Sequence, residues 1–280
     1  MDWLTENEIP IAPTVRRAVN DLSANETVSA AFDAFSDALR LPIEGLAWIL
    51  TTPPPVVLIL VFTAIAYAMR RSLGFALFTL LGFALILNQD IWEETMETLA
   101  LVVAAVIVCM AIGVPLGIAA ARRDWIYTVL RPVLDLMQTI PTFVYLIPVL
   151  VFFGLGEVPG LIATVIFALP APIRLTRLGI ASTPKPLGEA ATAFGASSWQ
   201  RLVKVELPHA TPQIMAGLTQ CIMLSLSMVV IAGLVGAGGL GGLVVRALNT
   251  VNVGLGVVSA LGIIILAIVL DRMFKSETRA

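Results

Sequence analysis

The amino-acid sequence predicts an all-α integral membrane protein with about seven transmembrane helices and an amphipathic helix near its amino terminus. Of its 280 residues, 58% are hydrophobic and 13% are charged, and the mean hydropathy is +0.95. The charges are bunched between long uncharged stretches, as expected where lipid surrounds most of the chain. No alternating pattern of about ten residues recurs, and an open sheet edge is unstable in hydrocarbon, so membrane strands are excluded.

The first 52 residues are predicted to form an extracytoplasmic segment that contains the amphipathic helix. The helix either lies in the outer membrane interface or packs on the flank of the helix bundle. Pro53–Pro55 should end it, because proline lacks the amide hydrogen and clashes with the preceding turn. The stretch Met1–Glu6 is acidic, so we predict no removable signal peptide. Apolar residues recur at steps of three or four at Val28, Ala31, Phe32, Phe35, Leu39, Ile43, Leu46 and Ile49.

Seven apolar runs follow this segment. A bilayer core requires about 20 helical residues, and the last five runs meet that length comfortably. The first two are shorter, and we expect the region 53–95 to form a peripheral transmembrane hairpin. The runs cover residues 54–69, 72–88, 96–120, 138–154, 158–178, 211–235 and 253–271.

The distribution of basic residues predicts the orientation. With seven crossings, four basic clusters fall on one face of the membrane, which the positive-inside rule makes cytoplasmic. The amino terminus is therefore expected outside, and the tail 273–280 is expected in the cytoplasm. The clusters are Arg70 and Arg71; Arg122, Arg123 and Arg131; Arg174, Arg177, Lys185, Arg201 and Lys204; and Arg272, Lys275 and Arg279.

A long hydrophilic stretch on the cytoplasmic side, residues 182–211, is predicted to form two short helices around a turn. Pro184 and Pro186 open the first helix, and Gly195 suits the left-handed position that closes it. Ser197, followed three residues later by Gln200, is a capping box for the second helix. We expect Leu207–Pro208 to end that helix. A helical projection of this kind is suited to binding in the cleft of a partner.

The spacing in this loop resembles the EAA motif of bacterial ABC importer permeases, E-A-A-x3-G-x9-I-x-L-P. Valine stands at position 205 where that motif has isoleucine. The resemblance implies that the loop is the coupling helix of the family, which sits in a groove of an ATPase subunit. Glu189 would anchor it electrostatically, Gly195 would permit the turn, and the two alanines would keep the contact surface small. The matching residues are Glu189, Ala190, Ala191, Gly195, Leu207 and Pro208.

Residues 96–272, including this loop, resemble the MetI-like five-helix core of type I ABC importer permeases. Within the core, the stretches Gln138–Pro148 and Val230–Gly242 are similar to the branch that imports glycine betaine, proline betaine or choline. The resemblance therefore implies transport of a quaternary ammonium or methylamine osmolyte. A permease for amino acids or another small solute is the alternative.

The same resemblance implies a set of partners in the bacterial cytoplasmic (inner) membrane. They are two ATP-binding subunits, a second copy of this permease and an extracytoplasmic substrate-binding protein, with membrane lipid around them. ATP and Mg would be bound by the separate ATPase, because this sequence has no G-x-x-x-x-G-K-S/T loop. The chain itself is expected to have no catalytic residue, no metal and no cofactor, and the net charge of −2 favours no nucleic-acid partner.

Several conspicuous features have simpler structural interpretations. The run Gly236–Gly242 lacks the lysine of a phosphate-binding loop and is expected to be a flexible turn with close helix packing. Gly113 and Gly117 form a helix-packing motif. Cys109 and Cys221 lie in apolar runs and are expected to be small buried residues rather than disulfide or metal ligands.

The translocation path is predicted along the fourth apolar run. All five tryptophans lie at predicted interfaces or outside the spans, so no tryptophan cage is expected in the pore. The candidate path residues are Gln138, Thr139, Thr142 and Tyr145; helix–helix hydrogen bonding is their alternative role. Pro141 and Pro148 are expected to kink this helix.

Two other classes of membrane protein are weighed against this interpretation. A proton- or sodium-coupled transporter should have acidic residues in mid-span, and no apolar run has one near its centre. A membrane-embedded hydrolase is disfavoured because the only histidine, His209, lies in the cytoplasmic loop.

Overall fold

The computed structural model describes residues 25–275, together with residues 13, 14, 17, 19, 21 and 22. Within the described residues every regular element is helical, and one of them is a five-residue π turn, Leu202–Glu206. The predicted all-α class is thereby confirmed. The rest of the predicted segment 1–52 and the tail after residue 275 lie outside the described residues. The α-helices are α1 Glu26–Thr51, α2 Pro55–Arg70, α3 Leu73–Asn88, α4 Trp92–Arg122, α5 Asp124–Thr139, α6 Thr142–Phe153, α7 Glu157–Ala168, α8 Pro170–Ala181, α9 Lys185–Ala193, α10 Ser198–Arg201, α11 Leu207–Leu234, α12 Gly239–Asn249 and α13 Val253–Phe274.

The helices match the seven apolar runs of the sequence. Four helical stretches of the described chain are long and apolar enough to cross a membrane: Trp92–Arg122, Glu157–Ala181, Ser198–Leu234 and Val253–Phe274. Two sharply bent pairs, α1 with α2 and α5 with α6, pass the same test only as pairs. The shorter apolar helix α3 has 16 residues. The four long stretches, the two bent pairs and the shorter helix α3 together correspond to the seven predicted spans.

The fourth predicted run, 138–154, is divided between two helices instead of forming one straight span. α5 and α6 meet at an angle of 95°. Ile140 is extended, as expected before a proline, and Pro141 precedes the first turn of α6. The expected kink at Pro141 is confirmed. Because α6 has 12 residues and is roughly 18 Å long, it is too short to cross the bilayer core by itself.

The amphipathic helix α1 packs against the bundle. Ile43 is 2% exposed, in a cluster with residues of α4 and α7. At the other end of α1, the ring of Phe32 stacks on Phe152 of α6, with 4.6 Å between the ring centroids. Trp48 is exposed on the opposite face. The sequence allows α1 either in the membrane interface or on the flank of the bundle, and in the structure it packs on the flank. It ends at Thr51, before the prolines, as predicted.

The centre of the bundle is formed by α4, α8 and α11, which approach closely through glycine. A Cβ atom added to Gly117 would lie 2.6 Å from Cβ of Thr176 and 2.8 Å from the carbonyl oxygen of Ile173. A Cβ atom on Gly113 would lie 2.8 Å from Cγ of Pro172. No side chain fits in these gaps, so the predicted packing role of both glycines is confirmed.

The two cysteines lie in a small apolar cluster at the same centre. Cys109 of α4 and Cys221 of α11 are both fully buried free thiols, beside Ala168 of α7. The Cys109 thiol points at the carbonyl oxygen of Val165, 3.8 Å away. Both residues pack as small apolar side chains, as the sequence predicts.

Candidate coupling loop and translocation path

Two predicted features of the loop 182–211, its left-handed glycine and its capping box, are present in the structure. Gly195 follows α9 with a φ of +78°, the left-handed conformation that favours glycine. Ser197 then caps α10 through a complete capping box. The amide of Ser197 donates to the Gln200 side chain at 2.8 Å, and the amide of Gln200 donates to the Ser197 hydroxyl at 3.2 Å.

The predicted helix end at Leu207–Pro208 is wrong. Helical structure continues from Ser198 to Leu234, and Pro208 lies in the first turn of α11. Proline lacks an amide hydrogen and interrupts the regular α-helical bonding pattern, and a π turn lies directly before this one. The π turn before it shifts the bonding pattern, so that the amide of Leu207 donates to the carbonyl oxygen of Leu202, five residues earlier. The second arm of the loop is therefore a continuous extension of α11.

The motif residues lie at different depths in the loop. Glu189 is exposed, beside a cavity of about 530 Å3 that Lys185 and Arg201 also line. Within the described residues no basic side chain forms an ion pair with Glu189, so its anchoring role stays a prediction that concerns another chain. Ala190 and Pro208 are exposed, whereas Ala191 and Leu207 are partly buried. The loop also presents the exposed apolar side chains of Leu187, Phe194 and Trp199.

A buried carboxylate that the sequence analysis missed lies under this loop. The side chain of Glu206 is only 10% exposed. One of its oxygens accepts from Nε of Arg201 at 2.8 Å, and the other accepts from Nη2 of Arg122 at 3.2 Å. The same Nη2 donates to the carbonyl oxygen of Ser198 at 2.9 Å. The Arg201 side chain is thus turned toward Glu206.

The four candidate path residues all lie beside the bend between α5 and α6. Gln138 and Thr139 are the last residues of α5, and Thr142 and Tyr145 are in the first turn of α6. Gln138 is partly buried and its amide oxygen accepts from Arg174, at 3.0 Å. Thr139 is exposed.

Tyr145 packs among apolar residues, and its hydroxyl has no hydrogen-bond partner within the described part of the chain. A buried polar atom of this kind is unusual, because an unsatisfied hydroxyl is costly in an apolar environment. Hydrogen bonding between helices is the alternative role of the candidate path residues. Gln138 forms such a bond, with Arg174 of α8, whereas the Tyr145 hydroxyl forms none among the described residues.

Two arginines of α8 hold α5 in place. Nη2 of Arg174 lies 2.6 Å from a carboxylate oxygen of Asp135, whereas Arg131 lies 4.0 Å from the other oxygen of the same carboxylate. Arg131, which lies four positions before Asp135 in α5, therefore makes the longer of the two contacts. The guanidinium of Arg177 lies over the ring of Tyr127, 3.6 Å from its centroid, in a cation–π contact.

At the opposite end of the bundle, the glycine run forms a packed turn that leads into α12. A Cβ atom on Gly241 would collide with the backbone of Val229, which confirms the predicted close packing. The amide of Gly239 donates to the Glu97 carboxylate at 2.9 Å, and the amide of Leu240 donates to the Thr98 hydroxyl at 2.8 Å. These side chains of α4 satisfy the first amides of α12, a helix that hydropathy did not predict.

The chain matches the family model described as "Binding-protein-dependent transport system inner membrane component" over residues 113–275, which is more than half of its length. The chain belongs to this family. It is accordingly a multi-pass inner membrane protein and the permease subunit of an ABC importer. Within the described residues, no group of three or more histidine, cysteine, aspartate or glutamate side chains is placed to hold a metal ion.

Two of its relatives match almost the whole chain, and a third matches about two thirds of it. The glycine betaine transport system permease protein OpuAB of Bacillus subtilis is 45% identical over 96% of this chain and 94% of its own length. The glycine betaine/proline betaine transport system permease protein ProW of Escherichia coli is 42% identical over 99% of this chain and 82% of its own length. The trimethylamine N-oxide transport system permease protein TmoV of Ruegeria pomeroyi is 37% identical over 66% of this chain and 28% of its own length.

A solved structure supports the MetI-like fold. An inward-facing structure of the MetNI methionine ABC transporter matches 68% of this chain and 96% of its own chain, with a TM-score of 0.60 and 23% identity. At that identity the match concerns the fold alone.

Proposed function

We propose that this chain is the permease of an ATP-driven importer for a quaternary ammonium or methylamine osmolyte, such as glycine betaine, proline betaine or choline. One observation supports this proposal above the others. Two relatives that are 42% and 45% identical over nearly the whole chain are named as glycine betaine permeases. The alternative, a permease for amino acids, rests only on the methionine transporter, whose 23% identity concerns the fold.

The proposed assembly contains two copies of this permease and two copies of a separate ATPase that binds ATP and Mg. A substrate-binding protein delivers solute from the outer side. The coupling loop within residues 182–211 would enter the ATPase, with Glu189 as its charged contact and Gly195 as its turn. The apolar tip of the loop supports this role, because Phe194 is 92% exposed and Trp199 is 69% exposed. Exposed aromatic side chains of this kind are typical of protein interfaces.

The proposed layout of the chain keeps the divisions expected from the sequence. Residues 1–52 lie outside the cytoplasm, 53–95 form the peripheral hairpin, 96–272 form the permease core, and 273–280 form a cytoplasmic tail. The amino terminus is placed outside and the carboxyl terminus inside. Labelling of single engineered cysteines in intact cells tests this orientation: residue 199 should react only after the membrane is made permeable.

The proposed path runs along the bend between α5 and α6, past Gln138, Thr139, Thr142 and Tyr145. A solute that crosses here meets hydroxyl, amide and aromatic groups, which give contacts of about 1 kcal/mol each. Weak contacts favour passage over retention, because tight binding in a conduit slows release. Selection of the solute is accordingly assigned to the binding protein.

Substrate competition tests the proposal. The permease is produced together with its ATPase and binding protein in cells without other betaine transporters, and uptake of labelled glycine betaine is measured against an excess of unlabelled solutes. We expect competition by methylated amines and none by methionine. Competition by amino acids alone would favour the alternative. A second test is calorimetric titration of the permease–ATPase complex without the binding protein. A micromolar betaine site in that complex would contradict the proposal that the binding protein selects the solute.

A further inference from the structure

Three segments of the cytoplasmic face meet at one carboxylate. Arg122 belongs to the last turn of α4, Arg201 to α10, and Glu206 to the end of the π turn that precedes α11. We define these three side chains, with the carbonyl oxygen of Ser198, as the Glu206 cluster. Its three hydrogen bonds to side-chain and carbonyl oxygens lie between 2.8 and 3.2 Å. It joins residues that are 84 positions apart in the sequence.

The burial of the cluster distinguishes it from a surface ion pair. Glu206 is 10% exposed, whereas the side chain of Arg122 is 31% exposed and that of Arg201 is 41% exposed. A carboxylate at that depth is favourable only where charged partners replace its lost water. Without the carboxylate, the two guanidinium groups would face each other with no anion between them. The cluster therefore fixes one relative position of α4 and the loop, and alternatives to it are penalised.

The loop also contacts the bundle through an apolar cluster, in which the buried Leu202 packs with Ile180 of α8 and with Ile118 and Ala121 of α4. On one side, the loop follows α8 through Ser182 and Thr183 and begins again at Pro184. On the other side, it continues into α11 through the π turn Leu202–Glu206, where the regular α-helical hydrogen bonds are replaced. A π turn is a place where a helix can change its bonding pattern. The Glu206 cluster spans this turn and supplies a charged, directional contact to α4 beside the apolar packing of Leu202.

From this geometry we infer that Glu206 is a positioning residue that makes the coupling loop and the end of α4 move as one body. The inference rests on the proposed function, because it concerns how ATPase movement reaches the membrane helices. α4 is the helix against which α8 packs through Gly113 and Gly117, so closely that no side chain fits between the two helices there. Displacement of the loop is therefore passed to α4 and then to α8, whose Arg174 holds α5 beside the proposed path.

Measurement of uptake and ATP hydrolysis in reconstituted permease–ATPase complex with its binding protein tests the inference. Glu206→Gln and Arg122→Gln should lower the solute transported per ATP on the order of tenfold, the usual size of a lost coupling between sites. Arg122→Lys should restore most of it, because one ammonium can donate to both acceptors. The matched control is Arg123→Gln, since Arg123 is exposed and its side chain forms no hydrogen bond or ion pair within the described residues. An unchanged ratio for Glu206→Gln would overturn the inference.

A distance measurement separates this role from simple stability and from failure of the proposed function. Spin labels are placed at residues 123 and 199, both exposed, in the complete complex. In the otherwise unsubstituted protein the distance should be the same with and without ATP, because the two segments move together. In Glu206→Gln it should change with ATP. A nucleotide-dependent change in the unsubstituted protein would overturn the inference. A complex that transports no osmolyte at all would instead refute the proposed function.

Discussion

Substitution of Gly195 with valine tests the coupling loop with little interference from packing. Gly195 has a φ of +78°, and a Cβ atom added there would meet no other atom within 4 Å. The cost is therefore backbone strain alone. It amounts to about 1–2 kcal/mol for an ordinary residue in the left-handed region, and more for a β-branched one. Since 1.4 kcal/mol corresponds to about a tenfold change in an equilibrium, the ratio of the native turn between α9 and α10 to its alternatives should fall about tenfold.

The assay is ATP-dependent uptake by the reconstituted complex, with the amount of inserted permease measured in parallel. We expect Gly195→Val to be inserted normally and to lose uptake about tenfold. Gly195→Asn should retain much more, because asparagine tolerates the left-handed conformation. The matched control is Gly188→Ala in α9, where a Cβ atom would lie 3.8 Å from the Arg201 side chain, an ordinary contact. Normal uptake by Gly195→Val would refute the argument that this turn determines the position of the loop.

Three further predictions concern the bundle and the proposed path. Gly117→Val should lower the free energy of unfolding by about 1–3 kcal/mol, because the new side chain overlaps Thr176 and the backbone of α8. Thermal unfolding measures this loss. The control is Gly74→Ala, because a Cβ atom added at Gly74 would have no other atom within 4 Å. Tyr145→Ala should lower the maximal uptake rate more than it raises the apparent KM. Tyr145→Phe should be nearly neutral, because the hydroxyl has no hydrogen-bond partner within the described residues. An equal loss of uptake rate in both variants would contradict this prediction. Arg174→Gln removes a half-exposed ion pair with Asp135 that is worth about 1 kcal/mol or less. The midpoint of thermal unfolding should therefore fall by no more than about 4 °C. A larger fall would show that Arg174 stabilises more of the protein than its contact with α5.

The sequence predicts features that depend on neighbouring residues. Hydropathy located the apolar helices, and the spacing of Ser197 and Gln200 predicted a capping box that the structure contains. The left-handed glycine at 195 also followed from local reasoning. In each case the stabilising contact lies within a few positions of the residue that makes it, so spacing alone is sufficient.

The missed features depend on contacts between distant segments. Arg122 and Glu206 are far apart in sequence, and Arg201 and Glu206 are five positions apart, a spacing that faces inward only because the segment is a π turn. Beside the 95° bend at Pro141, Arg174 of another helix donates to the Gln138 side chain. A Leu-Pro pair after a helical stretch indicates a helix end, and the π turn with which the helix continues past Pro208 is not visible in the sequence. These features depend on tertiary contacts, which cannot be predicted from the hydrophobic periodicity of the sequence.

Glu97 and α12 show the same limit at the other end of the bundle. The run Gly236–Gly242 was expected to be a turn because glycine destabilises helices. The structure instead begins a helix at Gly239, where the Glu97 carboxylate accepts from the first amide. Glu97 lies 142 positions earlier in the chain. A carboxylate at a helix start is favourable, so the cap that allows α12 is supplied by α4.

The central claim is that this permease imports an osmolyte with energy from ATP hydrolysed by a separate subunit. The most direct test is uptake of labelled glycine betaine into proteoliposomes that contain the permease–ATPase complex, with the binding protein outside and ATP or ADP enclosed. We predict accumulation above the external concentration with enclosed ATP and none with ADP. The same experiment includes a proton or sodium gradient without ATP, which should drive no uptake. Accumulation driven by either gradient without ATP would contradict the account.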